Sequence, residues 1–197
     1  MGIDIKKLKE KLKEDIEKLN NLPRKHASFY NWHDKKIQEF GIGLDFFQKL
    51  EEISCEYLVD IKNAEDPPDV KIVTNQGRTI GVEITELVDQ TAIEYQIKND
   101  PRYEERILSW NQENTIEAIT SIIKKKDHLC RDIPTYYDSI VLLIFTDEQE
   151  LLSDTLKQYV DGHSWPETKN IDEIFILTGY EPKHGTKCLL KLKQRIA

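Results

Sequence analysis

Two carboxylates occupy matching positions on the two arms of a predicted β-hairpin. The chain from Pro67 to Glu86 holds two runs rich in Val, Ile and Thr that are joined by Asn-Gln-Gly, a pattern typical of two strands and a tight turn. Centring the turn on Gln76 places Asp69 opposite Glu83. Opposed side chains have β-carbons about 4.5–5.5 Å apart, and like charges there are destabilising. A hard divalent cation such as Mg²⁺ would relieve that repulsion, because it favours one or two carboxylates together with water.

Period-2 alternation divides this hairpin into an apolar face and a polar face. The apolar face, which we expect to lie in the core, holds Val70, Ile72, Ile80, Val82 and Ile84. The other face holds Asp69, Lys71, Thr79, Gly81, Glu83 and Thr85. Gly81 would let a ligand or another element approach that face closely. Two alternatives stay open: the acids lie solvated at a sheet edge, or a one-residue slip of register separates them.

These residues resemble a known family. Pro68-Asp69, a short hairpin and then Glu83-Ile84-Thr85 look like the signature of the PD-(D/E)XK nuclease superfamily, in a form similar to a bacterial branch with Thr in the usual Lys position. The resemblance covers about residues 34–146. It implies a restriction-endonuclease-like αβββαβ core, with Asp69 and Glu83 as ligands of Mg²⁺ or Mn²⁺. It also implies a third acidic ligand from the preceding helix, with Glu39 as the first choice and Glu52 and Glu56 behind it.

Thr85 cannot supply the positive charge that the family's lysine brings to the phosphate, so another cation must do so. Lys124, Lys125 and Lys126 end a helix that we predict over residues 103–129. Lys126 is the first candidate, because an ammonium on a flexible stem can reach the carboxylates. Lys71, diagonal to Glu83 on the polar face, is the second. Alternatively, the three lysines only complement the negative end of their helix.

The remaining patterns predict an α/β fold with a mixed central sheet flanked by helices. We expect helices over residues 34–53 (interrupted near Gly41 and Gly43), 103–129 and 148–160, and strands over 55–61, 70–74, 79–85, 139–146, 173–178 and 187–193. Lysines place the last strand at a sheet edge. We expect one domain over residues 1–197: an N-terminal helix and aromatic loop (1–30), a nuclease-like core (34–146), and a C-terminal helix with additional strands (147–197). The helix over residues 3–20 packs on this domain or pairs with a second copy or another protein.

Composition limits the classes of function. The formal net charge is −8, which is unusual for a DNA enzyme because phosphate contacts require at least a basic patch. Three scattered cysteines, Cys55, Cys130 and Cys188, indicate a reduced, cytoplasmic setting. No apolar run approaches the roughly 18 residues of a membrane span, so no membrane partner is expected. The segments of His128, His163 and His184 suggest no role for these histidines.

Three functions remain open at this stage. The first is a Mg²⁺-dependent phosphodiesterase that acts on DNA, an endonuclease-like protein of defence, repair or mobile elements, as the resemblance implies. The second is a catalytically degenerate relative that serves as a binding or assembly module, which the acidic charge and Thr85 favour. The third is an unrelated α/β protein. Lysine near the carboxylates and binding of a divalent ion distinguish the first from the others.

Overall fold

The computed structural model describes residues 35–65, 67–89, 94, 98, 110–148 and 150–194. The helix predicted over residues 3–20 and the aromatic loop before residue 34 lie outside this part. So do most of the polar segment after Glu86 and the first turns of the helix predicted from residue 103. The description below is of the remaining chain.

A six-stranded mixed sheet forms the centre of the molecule. Its strands are β1 (Leu58–Asn63), β2 (Val70–Thr74), β3 (Thr79–Glu86), β4 (Ser139–Thr146), β5 (Glu173–Glu181) and β6 (Thr186–Gln194). They lie side by side in chain order. The β3–β4 and β4–β5 pairs are parallel, and the other three pairs are antiparallel. The predicted α/β class with a mixed sheet is thus confirmed, and the lysine-bearing β6 lies at an edge as expected.

Helices cover both faces of this sheet. Helix α1 (Lys35–Ile53) packs on one face, and α2 (Gln112–Leu129) and α3 (Ser153–Val160) pack on the other. A 3₁₀ turn, Cys130–Asp132, follows α2. Parallel strand pairs need such crossovers, and α2 and α3 lie in the β3–β4 and β4–β5 connections. Among the described residues, no helix combines the length and apolar character of a membrane span.

The predicted interruption of the first helix is wrong, because α1 runs unbroken from Lys35 to Ile53. Gly43 has a packing role instead. A Cβ added there would lie 3.2 Å from Val70 Cγ1, so the absent side chain lets α1 approach β2 closely. This close approach brings the N-terminal turns of α1 to the hairpin end that carries Asp69.

Several other element boundaries differ from the sequence prediction. The helix predicted from residue 103 begins at Gln112, because the extended Asn111 caps it with a side chain that accepts the Asn114 N–H, and β5 runs to Glu181 rather than residue 178.

The first strand begins at Leu58 rather than residue 55, since the preceding Tyr57 N–H donates to the side chain of Asn75 in the hairpin turn. Helix α3 begins at Ser153 rather than residue 148. The backbone N–H of Ser153 donates to the buried carboxylate of Glu181, which fixes the start of the helix from another element.

The hairpin has the register that the sequence predicts. Val70 pairs with Val82 and Ile72 with Ile80. Gly77 has φ +78° in the turn, a conformation that glycine adopts without steric cost. The five residues of the predicted apolar face all lie in the core beneath α1. The polar face therefore points to the side covered by α2.

Candidate functional site

The hairpin places Asp69 and Glu83 side by side on the face covered by α2. Asp69 directly precedes β2 and Glu83 lies in β3, one step beyond the Val70–Val82 pair. Both residues are buried, at 5% and 3% exposure. Asp69 Oδ2 accepts the backbone N–H of Ile84 at 2.7 Å, which holds this carboxylate against β3. Buried carboxylates require cations or hydrogen bonds, because an isolated charge is costly to remove from water.

Lys126 supplies a cation at this site. Its side chain extends from the last turn of α2, and its Nζ lies 2.5 Å from Glu83 Oε1 and donates to the carbonyl of Ile84 at 3.5 Å. The Lys126 side chain is only 18% exposed. Lys124 and Lys125, by contrast, are exposed. One lysine of the run thus lies against the hairpin carboxylates, across a sequence separation of 43 residues.

Glu39 and Lys35 extend the charged cluster from α1. Glu39 is buried at 4% exposure. Lys35 Nζ lies 2.7 Å from Glu39 Oε1 and 3.8 Å from Asp69 Oδ1. Burial raises the pKa of Glu39 to about 7, with a further contribution from the negative charge of Asp69, against the lowering effect of Lys35. Glu39 therefore exchanges a proton near neutral pH, whereas Lys35 keeps a largely exposed stem.

The other candidates from the sequence lie elsewhere. Lys71 Nζ does not pair with the hairpin carboxylates; it lies 4.8 Å from the centre of the Tyr136 ring, in a cation–π contact. Glu52 pairs with Lys49 on the exposed side of α1, and Glu56 pairs with Arg78. The space next to Gly81 is filled by protein side chains and not by a ligand, because an added Cβ would lie 2.9–3.1 Å from atoms of Ile140, Pro68 and Tyr137.

A buried cysteine lies next to the charged cluster. Cys130, at the end of α2, is buried. Burial raises the pKa of its thiol to about 12, and the negative charge of Glu83 raises it further, while Lys126 acts in the opposite direction. A thiolate at Cys130 is therefore disfavoured, and this cysteine is a packing residue beside the cluster rather than a nucleophile.

The donor chemistry of the cluster fits a hard divalent ion. Carboxylate oxygens are the ligands of Mg²⁺, which binds through one or two carboxylates and keeps several waters. The carboxylates of Asp69, Glu83 and Glu39 do not come together as three donor atoms within 4.8 Å. All three also form ion pairs with the ammonium group of Lys35 or Lys126. The arrangement thus suits a water-rich site on one or two carboxylates, and not a closed cage.

A second donor cluster was not expected from the sequence. The ligand atoms of Glu181, His184 and Cys188 all lie within 4.8 Å of one another, so these three residues could hold a metal ion. Among the described residues, no other group of three His, Cys, Asp or Glu side chains comes this close together. Sequence reasoning assigned no role to His184 and found no metal spacing for Cys188. The sequence signal for this cluster is the spacing of Glu181, His184 and Cys188 around a hairpin turn. This turn can be recognised only when β5 is known to end at Glu181 and β6 to begin at Thr186.

Comparisons of this chain with protein-family models, with curated proteins and with solved structures found no match in any of the three. The site must therefore be interpreted from its own geometry and from the resemblance of its hairpin.

Proposed function

We propose that this protein is a divalent-metal-dependent phosphodiesterase that acts on DNA, an endonuclease-like enzyme that uses Mg²⁺ or Mn²⁺. The observation that carries the proposal is the contact between Lys126 and Glu83 beside Asp69. The hairpin resembles the PD-(D/E)XK signature in its two acids and departs from it at Thr85. In this structure a lysine from another element lies where that departure requires a cation.

The two hairpin carboxylates are the metal ligands in this proposal. Asp69 is held by the Ile84 N–H on one oxygen, and its other oxygen faces Lys35, the side from which a hydrated ion can enter. Glu83 is fixed within β3. When bound, the metal polarises the scissile phosphate and lowers the pKa of the attacking water. Glu39 is the third acidic residue, and it contributes a negative charge only once its proton has left.

Lys126 is assigned the role of the charge-stabilising lysine. An ammonium aimed at the position where negative charge develops on the phosphate stabilises the transition state, and removal of one such donor costs about 10²–10³-fold in rate in well-studied enzymes. Its long stem lets Nζ move from Glu83 to a phosphate oxygen without backbone motion. Lys35, with its exposed stem, is the cation that the incoming metal displaces.

The proposal that DNA is the substrate rests on the resemblance of the hairpin to the PD-(D/E)XK signature alone. The net charge of −8 makes non-specific attraction of nucleic acid weak, because this attraction comes from neutralised phosphates. We therefore expect weak binding of DNA with a shallow dependence on salt, because the slope scales with the number of phosphates contacted. A protein partner that supplies basic surface fits the same charge balance.

A second candidate is a catalytically degenerate binding or assembly module. The observation that favours it is the occupation of the carboxylates by protein cations, Lys126 on Glu83 and Lys35 on Glu39 and Asp69. Such ion pairs neutralise the cluster without a metal. A relic of this kind would keep its fold and its charge network but would neither bind Mn²⁺ nor cut DNA.

The decisive experiment combines cleavage with melting. Purified protein at low salt is incubated with supercoiled, linear and single-stranded DNA and Mg²⁺ or Mn²⁺. We expect cleavage that Asp69→Asn and Glu83→Gln abolish and that Glu52→Gln, a change of an exposed acid on α1, leaves intact. Mn²⁺ should raise the melting temperature of the wild-type protein, since a ligand of the native state stabilises it, but not that of the first two variants.

Each other outcome has a meaning. Cleavage that survives in both Asp69→Asn and Glu83→Gln overturns the site. Stabilisation by Mn²⁺ without cleavage of any DNA supports a metal-binding relic. Neither stabilisation nor cleavage supports the degenerate module, in which the lysines have replaced the ion.

A further inference from the structure

We propose that Glu181, His184 and Cys188 form a second metal site, for Zn²⁺ or a similar borderline-soft ion, at the tip of the β5–β6 hairpin. Their ligand atoms all lie within 4.8 Å of one another. The site is separate from the Asp69–Glu83 cluster in donor type and in the elements that build it, and it does not depend on the proposed nuclease activity.

Local backbone structure brings the three donors together. Glu181 ends β5 and pairs with Thr186 at the start of β6. Between them, the N–H groups of His184 and Gly185 both donate to the Glu181 carbonyl. Gly185 has φ +66°, which closes the turn at no steric cost because glycine has no Cβ. His184 is thereby folded back over the end of β5.

An irregularity in the strand pairing places Cys188 on the same face. The register shifts between Leu177 and Tyr180 of β5, opposite Cys188, as in a β-bulge with an extra residue in one strand. The Cys188 N–H donates to the Thr178 hydroxyl at 3.1 Å within this irregularity. By alternation along β6, the Cys188 side chain shares a face with Leu190, which packs in the core on the α2 and α3 side.

Glu181 is a pre-oriented, ionised ligand. It is buried at 3% exposure, and its two oxygens accept the Ser153 N–H at 2.9 Å and the Ser153 hydroxyl at 2.8 Å. Burial opposes ionisation, but hydrogen bonds from Thr178 and Ser153 and the nearby His184 hold the pKa of Glu181 below its ordinary value. A carboxylate has about four lone-pair positions, so the two hydrogen bonds from Ser153 and the one from Thr178 leave one position for a metal.

The donor types and their spacing at Glu181, His184 and Cys188 favour Zn²⁺ over Mg²⁺. One imidazole nitrogen, one thiolate and one carboxylate are the ligand types of Zn²⁺, whereas Mg²⁺ takes oxygen ligands. Tetrahedral Zn²⁺ with ligand distances of about 2.0–2.3 Å separates neighbouring donors by roughly 3.3–3.8 Å. Glu181 Oε2 and His184 Nε2 are already 3.7 Å apart. Cys188 is partly exposed, so its thiol can release its proton to water when the metal binds.

Asp154 on α3 lies next to this cluster but is not part of it. Its Oδ1 lies 3.9 Å from His184 Nε2, and its other oxygen pairs with Lys183, whereas the donor atoms that lie within 4.8 Å of one another come from Glu181, His184 and Cys188. Three protein ligands leave the fourth tetrahedral position to water, so the proposed site is open rather than closed by four protein ligands.

The test is spectroscopic and uses the full chain. Co²⁺, which takes the place of Zn²⁺ in such sites, is titrated into the reduced, metal-free protein, and thiolate-to-cobalt charge-transfer absorption is recorded. We expect one equivalent to saturate the band, and Zn²⁺ to abolish it. Cys188→Ser should remove the band, and His184→Ala should weaken Co²⁺ binding at least tenfold. Cys55→Ser, at an exposed thiol, should leave both unchanged, and Asp69→Asn should leave the thiolate band unchanged.

Thermal melting gives a second readout. One equivalent of Zn²⁺ should raise the melting temperature of the wild-type and Asp69→Asn proteins by several degrees, but not that of Cys188→Ser or His184→Ala. Retention of wild-type Co²⁺ absorption in Cys188→Ser, or no thiolate band from a folded wild-type protein with its thiols reduced, overturns the proposal. Because the oxygen ligands of the Asp69–Glu83 cluster cannot give a thiolate band, failure here is distinguishable from failure of the nuclease assignment.

Discussion

Lys126 Nζ lies 2.5 Å from Glu83 Oε1 and joins a helix to a strand across a sequence separation of 43 residues. The pair is largely shielded from water, with the lysine side chain 18% exposed and the glutamate side chain 4% exposed. Removing one partner of such a pair leaves a buried charge without its counter-ion, which is strongly destabilising. Structure and proposed chemistry therefore depend on the same ammonium.

Replacing Lys126 by methionine should lower both stability and activity. Methionine keeps an apolar stem but leaves Glu83 without this cation. We expect a loss of about 2 kcal/mol in the free energy of unfolding, below the roughly 3–5 kcal/mol of fully buried pairs because Lys126 is partly exposed. Cleavage should fall by about 10²–10³-fold in the presence of saturating Mg²⁺. Urea unfolding and single-turnover cleavage measure the two effects.

The neighbouring lysines provide matched controls. Lys124→Met and Lys125→Met change the same helix end at exposed positions and should each alter stability by less than about 0.5 kcal/mol. Lys71→Met should lose only its cation–π contact with Tyr136, worth about 0.5–1 kcal/mol at an exposed site, and should keep cleavage. Lys71→Met that stops cleavage, with Lys126→Met active, would transfer the catalytic role to Lys71.

Lys35 should compete with the metal. Its ammonium lies near both Glu39 and Asp69, where a divalent ion would need the same negative charge. We expect Lys35→Met to bind Mn²⁺ about fivefold more tightly at pH 8, corresponding to about 1 kcal/mol of relieved repulsion for a partly exposed charge. Calorimetric titration at constant ionic strength measures this. Lys36→Met, with the same change of net charge at the adjacent position, is the control, and an equal gain in both variants would contradict a local effect.

Gly81 should tolerate no side chain. An added Cβ would lie 2.9 Å from Ile140 Cδ1, 3.0 Å from Pro68 Cγ and 3.1 Å from Tyr137 Cδ1. Ile140 can rotate away, but the rings of Pro68 and Tyr137 are rigid. We expect Gly81→Ala to cost about 1–3 kcal/mol, as overpacking of a core does, when measured by urea unfolding. Gly179→Ala, whose nearest atom would be 3.3 Å away, should cost less, and equal losses would show that β3 shifts freely.

Much of the hairpin could be predicted from the sequence because its information is local. Alternation of Val and Ile with polar residues, and a glycine at the left-handed turn position, determine both register and face within twenty residues. Helix α1 was predicted with a break because glycine is a poor helix former. The reason for Gly43 is its contact with Val70 of β2, a tertiary relationship that no local pattern carries.

The site was predictable only in part, and for the same reason. The need for a cation followed from two opposed acids and a threonine, and this need pointed to a small set of lysines. Which lysine reaches Glu83 depends on how α2 crosses the sheet. The Glu181, His184 and Cys188 cluster was missed because one strand was expected to end at residue 178 and the next to begin at residue 187. The sequence prediction therefore contained neither the tight turn nor the irregular strand pairing that bring the three side chains together.

Glu39 should make stability and metal binding depend on pH near 7. Its pKa is raised from 4.5 to about 7, first by burial. Between these values the folded protein holds a proton that the unfolded chain has released, so this group's contribution to stability falls as pH rises from about 5 to 8. Glu39→Gln removes that loss. We expect the variant to match the wild type at pH 5 and to be more stable by about 1–3 kcal/mol at pH 8.

If Glu39 is a metal ligand, the proton on its carboxyl group should weaken the binding of Mn²⁺. With a pKa of about 7, the ionised fraction of Glu39 rises about tenfold between pH 6 and pH 8. We expect Mn²⁺ affinity to rise by about the same factor over this range and then to level off. Glu39→Gln should bind Mn²⁺ more weakly at pH 8 and should lose most of this pH dependence, which calorimetric titration at both pH values measures. A wild-type affinity that is flat from pH 6 to 8, or a variant that keeps the full rise, would remove Glu39 from the metal site and leave Asp69 and Glu83 as its ligands.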